Sequence, residues 1–177
     1  MVVYRRNRVE GGTYFFTVTL RDRQTSLLTK HIGLLREAVR KTRQARPFII
    51  DAWVVLPEYM HAIWTLPTGD ADYSTRWRSI KANFSHELGK VLENSKCNTK
   101  GEYGFWQRRF WEHTIRDEED YVRHVDYLHY NPVKHGYVPR VIDWPYSSFH
   151  RFLANKVYPL DWGYFEENEL GENHYGE

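Results

Sequence analysis

Cysteine and long apolar runs are what this sequence most plainly lacks. Cys97 is the only cysteine among 177 residues, so an internal disulfide cannot form and nothing points to an oxidising compartment. No apolar run approaches the roughly 20 residues that a membrane-spanning helix needs, and the first residues contain no apolar signal-peptide segment. We therefore expect a soluble cytoplasmic protein with no membrane partner and no disulfide framework.

Acidic residues are scarce at the start of the chain and abundant at its end. Residues 1–50 contain 11 Lys or Arg against 3 Asp or Glu, whereas residues 101–177 contain 8 against 14, although the net charge is only +2. Clustered cations release counterions when they meet phosphates, so the basic first part favours an anionic partner such as nucleic acid. A basic helix that is merely solvated explains the same composition equally well.

Length and composition indicate one domain. A chain of 177 residues can bury a core of its own, which predicts a single domain over residues 1–160. Residues 161–177 contain six acidic residues and no Lys or Arg, so we expect an acidic, poorly ordered tail there. Aromatic residues make up 16% of the chain, more than such a core requires, and we expect some of these rings to stack on bases.

Hydrophobic patterning predicts an α+β fold. Aromatic and β-branched runs indicate strands, and apolar residues at helical spacing indicate helices. Ser74 is the expected N-cap of the second helix, and Pro132 is expected to end the third helix near Asn131. The predicted elements are strands at 13–20, 48–55, 59–66 and 105–115, and helices at 27–43, 74–92 and 117–131. This order predicts a ferredoxin-like split βαβ antiparallel sheet with an added C-terminal helix that carries the catalytic residue.

The segment Asp-Tyr-Leu-His-Tyr-Asn-Pro-Val-Lys-His-Gly-Tyr-Val at 126–138 is the most informative part of the chain. Tyr127 and Asn131 are four residues apart, so a helix places the phenol and the amide on one face. The same face carries Asp120 and His124. The third helix therefore presents a polar stripe that contains a tyrosine.

A second polar pair lies on a predicted strand. In Leu-Pro-Glu-Tyr-Met-His-Ala-Ile-Trp at 56–64, Tyr59 and His61 are two residues apart, so strand alternation directs both side chains to the same face. If the polar stripe of the third helix packs over this face, His61, Tyr127 and Asn131 converge in one pocket.

A tyrosine in such a pocket indicates covalent chemistry on DNA. A phenol with a pKa near 10 is only about 0.1% ionised at neutral pH, so it needs help to attack a phosphodiester. Mg²⁺ or Mn²⁺, held by an imidazole and an amide oxygen, can polarise the phosphate. The product is a phosphotyrosine ester that a later 3′-hydroxyl can displace.

Each of these residues also has an ordinary explanation. A tyrosine on an amphipathic helix is usually a packing residue, and a lone strand histidine is usually a hydrogen-bonded structural group. We expect His124, His129 and His135 to be surface groups rather than ligands. A ferredoxin-like interaction module with no nucleic-acid role is a further alternative, and it predicts no affinity for single strands at low salt.

Four segments together resemble one known family. They are Tyr-Phe-Phe-Thr-Val at 14–18, the run at 53–67, Phe-Trp-Gln-Arg-Arg-Phe-Trp-Glu-His at 105–113, and the run at 125–136. From about residue 4 to residue 162 the chain resembles the REP-associated tyrosine transposases, single-tyrosine relatives of the insertion-sequence transposases in the HUH endonuclease superfamily. The resemblance implies a nuclease of the bacterial cytoplasm and nucleoid. Such a protein binds single-stranded DNA hairpins from repetitive extragenic palindromes (REP) and cuts beside them through a 5′-phosphotyrosine intermediate.

The resemblance also implies roles for individual residues. Tyr127 matches the family nucleophile, His61 matches the second His of the His-hydrophobic-His motif, and Asn131 matches the polar group that helps hold Mg²⁺ or Mn²⁺. Whether the working unit is a monomer or a homodimer stays open. The basic residues that we expect to contact hairpin DNA are Arg5, Arg6, Arg8, Arg108 and Arg109.

One position departs from the family pattern. Tyr59 stands where the family has the first His of the metal pair, and a neutral phenol is a poor ligand for a hard cation. The leading hypothesis is therefore a metal-assisted tyrosine transposase or single-strand endonuclease. The alternative is a catalytically impaired protein that binds hairpin DNA without cutting it.

Overall fold

The computed structural model describes residues 6–92, 97–99, 101 and 103–163. Arg5 and the tail positions 164–177 lie outside these described residues. Within them, four strands and five α-helices alternate along the chain. In order they are β1 Thr13–Thr19, α1 Leu27–Lys30, α2 Ile32–Ala45, β2 Ile49–Val55, β3 Tyr59–Thr65, α3 Tyr73–Val91, β4 Trp111–Thr114, α4 Glu118–Lys134 and α5 Phe149–Ala154.

The four strands form one antiparallel sheet in the order β2-β3-β1-β4. The central strand β3 pairs with β1 on one side and with β2 on the other, and β4 pairs with the far edge of β1. Strands β1 and β2 therefore run in the same direction with β3 between them, which is the split βαβ arrangement. The predicted fold class is confirmed.

Alternation along β3 gives the sheet two different apolar faces. Met60, Ala62 and Trp64 point into a core under α2 and α3, whereas Tyr59 and Ile63 point into a second core under α4. Period-two alternation in a pleated strand predicts this division. The sheet thus carries a two-helix layer on one side and α4 on the other.

The helix predicted over 27–43 is divided at His31. The backbone there leaves helical geometry (φ −115°, ψ 36°), and the His31 carbonyl starts α2 by accepting from Leu34 and Leu35. The Leu28 amide donates to the Pro57 carbonyl at 3.1 Å, a bond that ties α1 to the β2–β3 turn. This tertiary contact holds α1 apart from α2, and periodicity along the chain cannot predict it.

The expected N-cap at Ser74 is wrong. Helix α3 begins at Tyr73, and its N-cap is Asp72, whose side chain accepts from the Thr75 amide at 3.0 Å. Asp is as good an N-cap residue as Ser because its carboxylate accepts the same unpaired amide. The Ser74 hydroxyl instead accepts from Arg6 at 2.7 Å.

The fourth strand is shorter than predicted. Only Trp111–Thr114 pairs with β1, while the segment 105–110 runs beside the end of β1 with few ladder bonds. Two backbone bonds hold that segment, from Gln107 to the Thr19 carbonyl at 3.0 Å and from Arg21 to the Phe105 carbonyl at 2.8 Å. This segment forms one wall of the cavity described below.

Helix α4 continues through Pro132 to Lys134, so the predicted end near Asn131 is wrong. Proline lacks one amide, but in the last turn this removes a single helical bond. The end of the helix is closed by bonds from Tyr137 to the Pro132 carbonyl (2.9 Å) and from Gly136 to the Val133 carbonyl (2.9 Å). Asn131 is therefore inside the helix, one full turn after Tyr127.

Candidate active site

Tyr127 on α4 lies next to His61 on β3. Their ring centroids are 5.4 Å apart and the ring planes are tilted by 56°. His61 is 1% exposed, and its Nδ1 is 2.9 Å from the hydroxyl of Thr17 on β1. Phe15 contacts both rings, at 5.1 Å from His61 and 6.1 Å from Tyr127. Tyr127 is only half-buried, so its phenol lies at the border of the apolar layer under α4.

Asn131 and Tyr59 form a buried hydrogen bond beside this pair. Asn131 has no exposed surface and Tyr59 is 4% exposed. The phenol of Tyr59 donates to Oδ1 of Asn131 at 2.7 Å, and the Tyr59 ring packs edge-on against His61 at 5.2 Å. The fold thus brings together four of the residues singled out from the sequence, although their chemical roles stay predictions.

The Tyr59–Asn131 hydrogen bond competes with a divalent cation for the amide oxygen. That oxygen has two lone pairs, and the Tyr59 phenol already takes one of them. The other amide atom, Nδ2 of Asn131, is buried and has no hydrogen-bond partner among the described atoms. An ion bound by His61 and Asn131 would share the oxygen with Tyr59 or displace its phenol.

A different group of side chains has metal-ligating donors at close range. One donor atom each of His113 on β4 and of Asp120 and His124 on α4 lie within 4.8 Å of one another. Two imidazoles and a carboxylate are a donor set that divalent transition metals accept. Asp120 and His124 belong to the polar stripe predicted from the sequence, whereas His113 was not predicted as a site residue. Strand alternation from Trp111 would have directed His113 to the same face as α4.

Two guanidinium groups oppose a cation at this cluster. Asp120 is 1% exposed, and its Oδ2 accepts from His113 Nε2 at 2.8 Å and from the Arg116 amide at 3.0 Å. Arg116 Nε and Arg123 also approach the carboxylate, at 3.4 Å and 3.7 Å. Burial raises the pKa of Asp120, but the bonds from His113 and Arg116 outweigh it and hold the pKa at about 2. An ion must displace some of these partners.

The expectation that His124 and His129 are surface groups is wrong. His124 is 4% exposed, and its Nδ1 hydrogen-bonds to the Asp120 carbonyl at 2.8 Å. His129 has no exposed surface, and its Nε2 pairs with the Ser148 hydroxyl at 2.8 Å. Burial lowers the pKa of His129 to about 3, so it is neutral at pH 7 and fastens α4 to the chain that follows it. His135 is exposed, as predicted.

The predicted DNA-binding arginines occupy different environments. Arg6 is half-buried, donates to Ser74 and lies 4.1 Å from the centre of the Phe110 ring. Its charge is therefore partly used inside the protein. Arg8, Arg108 and Arg109 are exposed.

A cavity of about 280 Å³ opens beside the Tyr59–His61 pair. Its floor is the α4-facing surface of β1 and β3, and its wall is the segment that leads into β4. The lining residues are Thr17, Thr19, Arg23, Tyr59, Gln107, Arg109, Phe110 and Trp111. Of the two arginines predicted in the 105–113 segment, Arg109 lines this cavity and Arg108 lies outside the described lining.

Within the described part of the chain, no helix has the length and apolar character needed to cross a membrane.

Comparison with known proteins adds what geometry alone does not give. No protein-family model matches the chain. A relative from Haemophilus influenzae is 47% identical over 162 residues, covering 90% of this chain and 92% of the relative.

Two further matches carry more information. The REP-associated tyrosine transposase of Escherichia coli (strain K12) is 54% identical over 162 residues, covering 92% of this chain and 91% of the relative. A solved structure of a REP-associated tyrosine transposase bound to a REP hairpin is 50% identical and superposes with a TM-score of 0.83, covering 95% of this chain and 96% of that one. Identity at this level over nearly the whole length agrees with the resemblance of the four sequence segments. The chain belongs to the REP-associated tyrosine transposases.

Proposed function

We propose that this protein binds single-stranded REP-type DNA hairpins and cleaves the adjoining strand through a covalent bond to Tyr127. The observation that carries the proposal is the position of Tyr127, half-buried at the border of the α4 layer, with His61 beside it and Asn131 one turn beyond. The solved relative bound to a REP hairpin supports the substrate.

The chemistry can be written for the residues of this chain. The phenolic oxygen of Tyr127 attacks the phosphorus, the bond from phosphorus to the 3′-oxygen breaks, and the fragment on the 3′ side of the cut stays bound to the tyrosine through its 5′-phosphate. The phenol loses its proton to solvent water, which reaches the half-buried Tyr127 side chain. The departing 3′-oxygen gains a proton and becomes a hydroxyl. That hydroxyl can later attack the phosphotyrosine and reverse the step.

A positive charge also lies close to the tyrosine. The ammonium group of Lys134, at the end of α4, is 5.0 Å from the centre of the Tyr127 ring. A cation there stabilises the negative charge that builds on the phosphate as Tyr127 attacks. Mg²⁺ or Mn²⁺, proposed as the cofactor of this family, would add to that effect if it gained the Asn131 oxygen.

A labelled hairpin with single-stranded flanks tests the proposal. The wild-type protein should form a covalent adduct that survives denaturing gel electrophoresis, in the presence of Mg²⁺ or Mn²⁺. Tyr127→Phe should bind the same hairpin normally and form no adduct. Tyr130→Phe, a change on the same helix, is the matched control. Adduct formation by Tyr127→Phe would reject Tyr127 as the nucleophile.

A second function is favoured by one specific contact. The Tyr59–Asn131 hydrogen bond competes for the oxygen that a metal would need, which is expected of a hairpin-binding protein that no longer cuts DNA. The two functions differ in one measurement. If the wild-type protein binds the hairpin but forms no adduct at any Mn²⁺ concentration, and Tyr59→His does form one, the protein is a binder derived from an enzyme.

A further inference from the structure

We infer that the cavity bounded by Arg23 and Arg109 is the binding site for a single-stranded nucleotide next to the cleaved phosphate. The inference rests on the proposed function and extends it, because it separates recognition of the flanking strand from recognition of the hairpin. Arg23 is not among the arginines predicted to contact the hairpin, and the inference reassigns Arg109 from the hairpin to the flanking strand.

The cavity lies next to the pair formed by His61 and Tyr127. The Thr17 side chain lines the cavity and also hydrogen-bonds to His61 at 2.9 Å. Tyr59 lines the cavity as well, and its ring lies 5.2 Å from that of His61. His61 in turn is 5.4 Å from Tyr127. A strand whose phosphate reaches Tyr127 therefore has this cavity as an immediate neighbour for its next nucleotide.

Two positively charged side chains line the cavity. Arg23 and Arg109 come from separate segments, and both are exposed at the cavity. The Arg23 guanidinium lies 5.4 Å from the centre of the Tyr59 ring. Its acidic neighbour is Glu58, whose Oε1 lies 4.0 Å from the Arg23 Nε, at the outer limit of an ion pair. Two guanidinium groups on one small cavity match the fork geometry with which arginine binds phosphate oxygens.

The size of the cavity and the chemistry of its walls fit a single nucleotide. Ligand pockets start at about 300 Å³, so a cavity of about 280 Å³ suits one nucleotide-sized group rather than a duplex. Trp111, on the α4 side of the sheet, supplies aromatic surface on which a base can stack. The Gln107 side chain offers an amide that can pair with a base edge. Phosphate-binding cations combined with aromatic surfaces are typical of sites for single strands.

The wall is also held in place before any ligand arrives. The Gln107 amide donates to the Thr19 carbonyl at 3.0 Å, and the Arg21 amide donates to the Phe105 carbonyl at 2.8 Å. Trp111 packs on Phe15 of β1 with its ring 5.8 Å away. A preformed cavity loses less conformational entropy on binding, which favours specific recognition.

The chain offers a matched control for the charge. Arg21 and Arg78 are exposed, sit outside the described lining and are not among the arginines expected to contact the hairpin. The double variants Arg23→Ala/Arg109→Ala and Arg21→Ala/Arg78→Ala therefore lose the same charge. A difference between them reports on the cavity rather than on net charge.

The experiment compares two DNA ligands on each protein. One is a hairpin alone, and the other is the same hairpin with a short single-stranded flank that contains the cleavage site. Binding of both is measured by fluorescence anisotropy. Every protein also carries Tyr127→Phe, which prevents cleavage. In the parent protein the flank should tighten binding. In Arg23→Ala/Arg109→Ala that gain should fall by roughly tenfold, while the affinity for the hairpin alone changes little. The slope of the logarithm of the flank-binding constant against the logarithm of the salt concentration should become less steep by about 0.7 for each lost phosphate contact.

The outcomes separate the two proposals. If the cavity variant keeps the full gain from the flank, or if the control variant loses as much, the nucleotide site is wrong while hairpin binding stands. If neither the parent protein nor its variants bind the hairpin more tightly than an unstructured strand of the same composition, the proposed function itself fails. A circular dichroism melt of each variant verifies that the substitutions leave the fold intact.

Discussion

The phenolic oxygen of Tyr59 lies 2.7 Å from Oδ1 of Asn131, and both side chains are buried. Tyr59, at the position where the resemblance predicts the first metal-binding His, thus donates a hydrogen bond to a residue predicted to hold the metal. A buried pair of this kind stabilises the fold and at the same time occupies the candidate site.

Removing the Tyr59 hydroxyl should destabilise the protein. Tyr59→Phe leaves the buried Asn131 oxygen without its donor, which we expect to cost about 1–2 kcal/mol in the free energy of unfolding. Urea denaturation of Tyr59→Phe, Asn131→Ala and the double variant gives the coupling between the two residues, expected at about 1 kcal/mol. Additive effects of the two substitutions would show that the hydrogen bond does not form in solution.

Restoring an imidazole at this position should create a metal site. Tyr59→His removes the phenol proton from the Asn131 oxygen and adds a second nitrogen ligand, so Mn²⁺ affinity should rise by roughly tenfold or more. Electron paramagnetic resonance of free Mn²⁺ measures this directly. Adding Asn131→Ala should abolish the gain. The same titration on Asp120→Asn determines how much wild-type binding comes from the cluster of His113, Asp120 and His124. Equal affinity of wild type and Tyr59→His would contradict the prediction.

Asp120 should make stability depend on pH in the acid range. Its pKa is lowered from 3.8 to about 2, so its contribution is fully present above about pH 4 and is lost as the pH falls towards 2. The difference between these two pKa values corresponds to about 2 kcal/mol in the free energy of unfolding. Asp120→Asn should be less stable than wild type at pH 6, and the difference should shrink below pH 3. Glu119→Gln, an exposed change on the same helix, is the control in chemical denaturation at each pH. A difference that stays constant with pH would refute the assignment.

His129 should weaken the fold at a higher pH than Asp120 does. Burial lowers its pKa from 6.5 to about 3, so the unfolded chain binds a proton that the folded chain rejects. Stability should therefore fall as the pH drops from about 6.5, by up to about 1.4 kcal/mol for each pH unit. His129→Gln keeps a polar partner for Ser148 and should show a flatter profile, whereas His86→Gln at an exposed position should not. Parallel profiles for wild type and His129→Gln would exclude His129 as the cause.

Local patterning was sufficient for the elements that have a clear period. The alternation of β3 correctly predicted that Tyr59 and His61 share a face, because every second side chain of a strand points the same way. It failed where tertiary bonds intervene. The tie between Leu28 and Pro57 divides a helix that periodicity makes continuous, and the buried end of α4 keeps Pro132 helical.

By itself, the sequence determined which side chains share a face. Tyr127 and Asn131 lie one turn apart because of helix geometry, and Tyr59 and His61 point the same way because of strand geometry. Only the tertiary structure decided which groups touch. The Tyr59–Asn131 bond spans 72 residues, the His113–Asp120 pair joins β4 to α4, and Arg109 rather than Arg108 lines the cavity. Local periodicity sets the direction of a side chain, but distances between elements depend on how α4 and the 105–110 segment pack against the sheet.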